Sequence, residues 1–477
     1  MDNKKRLSMF GFLFITGSIL VELYEYPTFA TSGFNAVFYL LAGGLLWFLP
    51  VVLCAAEMAT VEGWSDGGVF TWTKNTLGEK WGFAHIFFQF VVFTIGAVTM
   101  IYYVVGAIAY VTGWTALNSD PTLKFLAVII IFWAVTFVQL SGIRNTAKIA
   151  RIGFIGGVLI PALILFVLSA VYIFSGNPID ITISAKTFWP DFSNINSLVV
   201  LVSFMLSYMA VEVSATHVND MRNPKRDYPI AVIILLFLAI ILNTIGAISV
   251  GAVVPQSLLS LNEGVFQTFA LLVNHFGHFS WLVDIIVVFL AIGSIAEVSS
   301  WIVGPTRGLS VAGEYGIFPR ELAKRNKNDV APRLLIIQGI VVTMWAAVLT
   351  FGGGSSNVSF FMAMTLTVIV YLAAYFLFFL AYIKLVLKKK ELKRAYEIPG
   401  GTVVKLTLAI IGFIFSIIAF AISFLPPSGL ASSNIGEYTT ILIVCFGITM
   451  VLPFIIYYVF KGRKEKVTSS SRKIEVN

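Results

Sequence analysis

The sequence has few charged residues, few histidines and almost no cysteine. Asp, Glu, Lys and Arg make up 12% of its 477 residues, and it contains 4 histidines and 2 cysteines. Cys54 and Cys445 both fall in apolar runs, so their positions predict neither a disulfide framework nor a metal site. The chain also lacks a phosphate-binding glycine loop, a nucleophile constellation and metal-ligand spacing. We therefore expect no cofactor, no metal and no enzymatic activity.

Apolar residues dominate instead. The chain is 58% hydrophobic, with a mean hydropathy of +0.90. A soluble protein of this composition would expose large apolar patches, so the composition indicates a multi-pass membrane protein. The formal net charge is +8, but the basic residues lie in short loops between apolar runs. This pattern predicts a lipid bilayer, and not nucleic acid, as the partner.

A helix needs roughly 20 apolar residues to cross a bilayer, and by that criterion we predict about twelve transmembrane helices in an all-α integral membrane protein. The predicted spans lie near residues 8–34, 36–58, 82–111, 124–142, 152–175, 198–218, 229–254, 280–303, 334–351, 358–385, 404–425 and 439–460. The polar stretch 63–81 predicts a short helix on the membrane surface. The basic tail, 461–477, is predicted to be disordered.

The distribution of Lys and Arg predicts the orientation of the chain. With residues 1–7 in the cytoplasm, only Lys124 and Lys186 of the 32 basic residues fall on the outer side. The asymmetry predicts that both termini are cytoplasmic.

Two of the predicted spans are disturbed. The first carries Glu22, Glu25 and Pro27 at membrane depth, where a carboxylate costs several kcal/mol and a proline ends or kinks the helix. The sixth carries Glu212 in mid-span. We predict that both helices are interrupted and line a cavity, as in many secondary transporters.

The spacing of the disturbed spans suggests an internal repeat. Five spans separate them, so 8–175 and 198–385 are predicted to be inverted repeats, with 404–460 forming two further helices. The two interrupted helices would then meet near the midplane of the membrane.

The intramembrane acids are the first candidates for chemistry. We find no Lys or Arg deep in any span, so no fixed basic partner is expected. Such acids take up protons or bind a substrate ammonium group, and a substrate carboxylate would be held by helix N-termini and free backbone N–H groups. Glu297 has an alternative role as a buried structural group, and Glu25 as a cap of the second half-helix. Asp284 lies only a few residues into its span and is expected to reach the outer interface, where it is solvated. The acids considered are Glu22, Glu25, Glu57, Glu212, Asp284 and Glu297.

Polar aromatic residues are the second candidates. Tyr24 lies in the first break, and Tyr371 and Tyr375 are four residues apart, hence on one helix face. They line a polar pathway or, alternatively, pack against neighbouring helices. His217 at the end of the sixth span is a candidate pH sensor or a loop-packing residue.

Several blocks of sequence, in order, resemble the bacterial glutamate/GABA antiporters of the amino acid–polyamine–organocation superfamily. The resemblance runs from about Leu7 to Arg463. The blocks that carry it are LYEYPTFATSGF from Leu23, WFLPVVLCAAEMATVEGW from Trp47, NTLGEKWGFA from Asn75, KTFWPDFS from Lys186, LSYMAVEVSATHVNDMRNPKRDYP from Leu206, EVSSWIVGPTRG from Glu297 and YEIPGG from Tyr396.

The resemblance implies a fold of twelve helices, with helices 1 and 6 unwound at the centre, in a bacterial cell membrane. It implies electrogenic exchange of external glutamate for internal GABA, its decarboxylation product. Together with a cytoplasmic decarboxylase, this exchange would raise the internal pH and give acid resistance. Matched residue by residue, the motifs place Tyr24, Glu212, Glu297, Tyr371 and Tyr375 in the substrate region.

The sequence leaves other functions open. Glu22 stands where a small or apolar residue is expected, and a carboxylate there disfavours an anionic substrate side chain. Another amino acid/amine pair, such as tyrosine and tyramine, is therefore an alternative. A membrane receptor without net flux and a channel are further alternatives. Some relatives carry a long C-terminal extension that resembles a plug over the inner mouth; since only a short basic tail follows Phe460 here, we do not expect a plug of that type.

Overall fold

The described structure of the chain is helical. The computed structural model describes residues 7–17, 21–64, 67–140, 152–214, 221–277, 279–327, 330–426 and 432–475. Within these ranges β pairing is limited to isolated bridges, which pair Leu7 with Met221 and Val61 with Arg394. Helices are expected because a chain in lipid must satisfy its backbone polar groups within each segment.

We number the principal helices α1 to α16 in chain order. The first eight are α1 Met9–Gly17, α2 Tyr26–Ala30, α3 Asn35–Ala59, α4 Gly68–Leu77, α5 Glu79–Thr112, α6 Pro121–Gln139, α7 Ile152–Phe174 and α8 Leu201–Leu206. The others are α9 Val211–Ser214, α10 Pro224–Val253, α11 Gly264–Gly277, α12 Ser280–Glu314, α13 Pro332–Gly352, α14 Ser356–Lys388, α15 Gly401–Ile422 and α16 Ser432–Glu475.

Ten helices in the described ranges are long and apolar enough to cross a membrane. They correspond to ten of the predicted spans. The other two are the predicted first and sixth spans, and both are interrupted. The chain is thus an all-helical multi-pass membrane protein, whereas the twelve-span count, the inverted repeat and the orientation remain predictions.

The first span is broken where the sequence predicts it. α1 is described as far as Gly17, and Glu22 is in an extended conformation, with φ −119° and ψ 98°. A short 3₁₀ turn, Leu23–Glu25, then leads into α2, which has Pro27 in its first turn. Proline suits that position because the backbone N–H groups in the first turn of a helix have no partner within the helix, so the N–H that proline lacks is not missed.

The sixth span is broken between α8 and α9. The four intervening residues form turns, and Ala210 has a φ of 65°. A non-glycine residue in this left-handed region costs about 1–2 kcal/mol, so packing around the break must hold it there. Tyr208 contributes, because its hydroxyl donates to the carbonyl of Leu40 in α3 at 2.8 Å.

α5 is the central helix. It is buried over most of its length, whereas α15 and α16 expose most of their surface, and it packs extensively against α12 and α14. These three helices form the wall that faces the two broken spans.

Two predictions about shorter segments are wrong. The predicted helix within 63–81 forms as α4, but it is not a surface helix. It packs against α5 and α14, and its residues Phe70 and Trp72 are buried. The basic tail is helical as far as Glu475, since extending an existing helix costs far less than starting a new one.

Candidate functional site

A small cavity lies where the two broken spans meet. Glu22 and Tyr24 of the first span line it, together with Leu206, Met209 and Ala210 of the sixth. Its volume is about 50 Å³, which is space for a few water molecules and not for an amino acid. A substrate can therefore bind only if the walls separate.

The rest of the wall comes from α5, α12 and α14. Among the described lining residues Glu22 is the one acid, and none is a lysine or arginine. The lining residues from these helices are Val92, Phe93, Gly96, Ala97, Thr99, Met100, Trp301, Thr367 and Tyr371.

Glu212 and the two tyrosines of α14 form one hydrogen-bonded group. Tyr371 donates its hydroxyl to Oε1 of Glu212 at 2.7 Å, and Tyr375 donates to Oε2. Gln89 of α5 donates its amide to Oε1 at 2.7 Å. Glu212 is 1% exposed. Its buried carboxylate is therefore satisfied by hydrogen bonds from these uncharged side chains and not by water. Tyr371 also lines the cavity and connects the group to it.

A second group gathers carboxylates. Tyr24 donates its hydroxyl to Oε2 of Glu22 at 2.5 Å, and Glu22 interacts with both Glu25 and Glu297. One buried oxygen each of Glu25 and Glu297 has no hydrogen-bond partner in the described part of the chain. Buried acids placed together without a cation take up protons or a cationic ligand.

The position of Glu25 bears on its proposed capping role. It precedes α2 at the N-cap position, but its side chain makes no capping hydrogen bond. It is 1% exposed and belongs to the carboxylate group. The helix dipole still favours a negative charge there.

Glu297 is held in place by a close helix crossing. A Cβ on Gly157 of α7 would lie 2.4 Å from the backbone of Gly293 in α12, and one on Gly153 would lie 2.1 Å from Cβ of Ala296. Small residues let two backbones approach in this way. The crossing fixes the turn of α12 that carries Glu297.

Two residues of the site were missed from the sequence. Gln89 is an isolated polar residue in the apolar run of α5, a signal that an inventory of ionisable groups does not detect. Trp301 lies four residues after Glu297 on the same face of α12 and lines the cavity. His217 lies outside the described residues.

The expectation that no intramembrane acid has a fixed basic partner is wrong for Glu57. At the end of α3 it pairs with Arg394 and with Lys405, the latter at 2.8 Å. Arg394 lies in the loop after α14, and Lys405 lies in the first turns of α15. Both are far from Glu57 in the sequence, so neither ion pair could be predicted from the sequence. Lys405 also bonds Glu397 at 2.6 Å, which lowers the pKa of that half-exposed carboxyl.

Other features lie apart from the site. A pocket of about 350 Å³ beyond the end of α2 is lined by residues such as Asp180 and Gln256, and holds none of the predicted site residues. Across the described ranges, no group of three or more His, Cys, Asp or Glu side chains is placed to hold a metal ion.

Known proteins resemble the chain over nearly its whole length. The profile of the amino acid permease family matches residues 7–459. A glutamate/gamma-aminobutyrate antiporter of Lactococcus lactis subsp. lactis is 54% identical over 456 residues, which cover 95% of this chain and 91% of that protein. A protein of the same name from Lactococcus lactis subsp. cremoris matches equally well, with 54% identity over the same shares.

More distant relatives are also transporters by name. An uncharacterized transporter of Legionella pneumophila is 30% identical over 98% of this chain and 99% of its own length.

Proposed function

The chain belongs to the amino acid permease family, and from that premise we propose that it exchanges external glutamate for internal γ-aminobutyrate (GABA). The observation that carries this proposal is the 54% identity, over 95% of the chain, to two proteins named for that exchange. The site supports it, because a cavity between two broken helices is where many secondary transporters bind substrate.

The charge of the site determines which form of each substrate fits. The described residues of the lining offer Glu22 and hydroxyl groups and no cation, so GABA binds through its ammonium group. Glutamate binds with its side-chain carboxyl protonated, since a charged one would face Glu22 without a counter-ion. Free backbone N–H groups at the breaks hold the α-carboxylate.

The hydrogen bonds of Glu212 suggest how the cavity closes. In the predicted orientation, α9 lies on the cytoplasmic side of the break in the sixth span. The bonds from Tyr371 and Tyr375 to Glu212 then join α14 to α9 beneath the cavity. We propose that these bonds break when the site opens to the cytoplasm and re-form when it closes, which gives alternating access.

The cellular setting follows from the exchange. The protein would lie in the cell membrane of a bacterium with both termini in the cytoplasm. A cytoplasmic decarboxylase would convert the imported glutamate into GABA and consume one proton in each turnover. Because glutamate brings one proton in on its side-chain carboxyl, GABA must leave with its own carboxyl protonated for the cycle to remove a proton from the cytoplasm. In that form the exchange would raise the internal pH and confer acid resistance.

One observation favours a second substrate pair. Glu22 lines the cavity and opposes an anionic side chain, and the aromatic ring of Trp301 is part of the same wall. An amino acid with an uncharged side chain, such as tyrosine exchanged for tyramine, therefore fits the lining as a second candidate.

Uptake into proteoliposomes tests the proposal. Vesicles containing the purified chain are loaded with GABA, with tyramine or with buffer, and uptake of labelled glutamate is followed at pH 5.5 and 7.5. We expect rapid uptake into GABA-loaded vesicles, faster at the lower pH. Equal uptake into empty vesicles would refute exchange, and a preference for tyramine-loaded vesicles with labelled tyrosine would establish the second candidate.

A further inference from the structure

Glu57 is the centre of a buried ion cluster at the end of α3. It is 0% exposed, and its Oε1 accepts from Lys405 at 2.8 Å and from Arg394. Its Oε2 accepts from the hydroxyl of Tyr382 at 2.9 Å and from the backbone N–H of Ile398 at 3.0 Å. Four donors on one carboxylate satisfy it as fully as a buried charge requires.

The donors come from three consecutive parts of the chain. Tyr382 lies near the end of α14, Arg394 and Ile398 lie in the loop that follows, and Lys405 lies in α15. The same loop is joined to the end of α3 by Thr60, whose hydroxyl accepts from the backbone N–H of Tyr396 and donates to its carbonyl, both at 3.1 Å. The cluster therefore fixes the end of α14 against α3.

Tyr382 shares its helix face with the tyrosines of the candidate site. Tyr371, Tyr375 and Tyr382 are spaced by four and seven residues, which places all three on one face of α14. The first two donate to Glu212, and the third donates to Glu57. One rigid helix thus links the ion cluster to the group that closes the cavity.

α3, which carries Glu57, also contacts the group formed by Tyr371, Tyr375 and Glu212. The indole of Trp47 lies edge-on to the ring of Tyr375, with ring centroids 4.6 Å apart, and its N–H donates to Ser416 of α15 at 2.8 Å. The half-helix α9, which carries Glu212, packs against α3. The face of α14 is therefore held between Glu57 and Trp47.

We propose that Glu57 and Tyr382 are positioning residues for exchange: they fix the inner end of α14 so that Tyr371 and Tyr375 remain in register with Glu212. Neither residue lines the cavity, and they act through the tyrosine pair. The inference rests on the proposed role of that pair in closing the cavity. A purely stabilising cluster would affect the amount of folded protein but not the closure.

The mild substitution Tyr382→Phe tests the inference, because it removes one hydroxyl and leaves the ion pairs of Glu57 intact. The full-length protein is compared with Tyr382→Phe and with Tyr438→Phe as a matched control. Tyr438 is also a buried tyrosine whose hydroxyl bonds α14, through Thr365 at 3.3 Å, away from Glu57.

Amide hydrogen exchange of residues 211–214 is the first measurement, and it does not depend on any substrate. Losing a hydrogen bond to a charged group costs enough to speed local opening by about tenfold. We expect Tyr382→Phe to accelerate exchange in this segment by about that factor and Tyr438→Phe to leave it unchanged. Unchanged exchange in Tyr382→Phe, or equal acceleration in both variants, would overturn the inference.

Transport gives the second measurement. We expect Tyr382→Phe to raise the KM for external glutamate about tenfold, and to have less than about a twofold effect when Tyr375→Phe is already present. Equal effects in both backgrounds would show that Tyr382 acts independently of the tyrosine pair and would overturn the inference. If the wild type shows no glutamate/GABA exchange, the proposed function fails, and hydrogen exchange alone decides the positioning role.

Discussion

The two tyrosines that bind Glu212 should differ in importance, and phenylalanine substitutions measure the difference. Tyr371→Phe removes the donor to Oε1, but Gln89 still donates to that oxygen at 2.7 Å. Tyr375→Phe removes the donor to Oε2, for which the described residues offer no second side-chain donor. A buried acceptor left without its donor costs more than one that keeps a partner.

The expected magnitudes follow from these contacts. Losing one of two side-chain bonds to Oε1 should cost about 1 kcal/mol, and losing the side-chain donor to Oε2 about 2–3 kcal/mol. Both losses weaken the closed state, so the apparent affinity for external substrate falls with the population of that state. The KM for glutamate should rise about fivefold in Tyr371→Phe and about 30- to 150-fold in Tyr375→Phe.

The assay is the initial rate of labelled glutamate uptake into GABA-loaded proteoliposomes, measured across glutamate concentrations at one pH. Tyr438→Phe is the matched control and should change the KM less than about twofold. If Tyr371→Phe proves as damaging as Tyr375→Phe, or more so, the proposed geometry of closure is refuted.

Three further predictions concern other parts of the chain. Glu22→Ala should raise the preference for glutamate over tyrosine about tenfold in competition uptake at pH 7.5. Glu22 disfavours the charged side chain of glutamate by about 1.5 kcal/mol, for charges about 10 Å apart at an effective dielectric constant of about 20, so its removal lets the charged form bind as well as the protonated one; an unchanged preference would mean that Glu22 does not face the substrate. Gly157→Ala should lower stability in a thermal unfolding assay by about 1–3 kcal/mol, whereas Gly156→Ala, whose Cβ would lie 3.9 Å from its nearest neighbour, should have almost no effect; similar values would contradict the close crossing. The pKa of Glu397 is lowered by its bond to Lys405, so this pair stabilises the fold above the unfolded pKa of about 4.3. The Tm of Glu397→Gln should fall below that of the wild type at pH 7, and the difference should disappear as the pH drops through the folded pKa; a constant difference would exclude the ion pair as its cause.

Local chemistry made much of the site predictable from the sequence. Glu22 and Pro27 in one apolar run identified the first break, and Glu212 identified the second span that the structure shows to be broken. The four-residue spacing of Tyr371 and Tyr375 placed them on one face, and both donate to Glu212. In each case the signal lies within a single helix.

Contacts between distant segments could not be predicted in the same way. Glu57 and Lys405 are 348 residues apart in sequence, and nothing in either segment alone indicates that they pair. The stretch 63–81 has the polarity of a surface helix, but which neighbour covers it depends on how the bundle assembles. Gln89 was missed because an amide carries no charge, although an isolated amide in an apolar helix also requires a partner.

The stoichiometry of exchange tests the central claim most directly. Vesicles are loaded with ³H-GABA and placed in ¹⁴C-glutamate, and both labels are followed in the same sample. The proposed exchange predicts that one GABA leaves for each glutamate that enters, and that neither label moves when the other substrate is absent. Glutamate entry without GABA release, or release of GABA into glutamate-free buffer at the same rate, would contradict it.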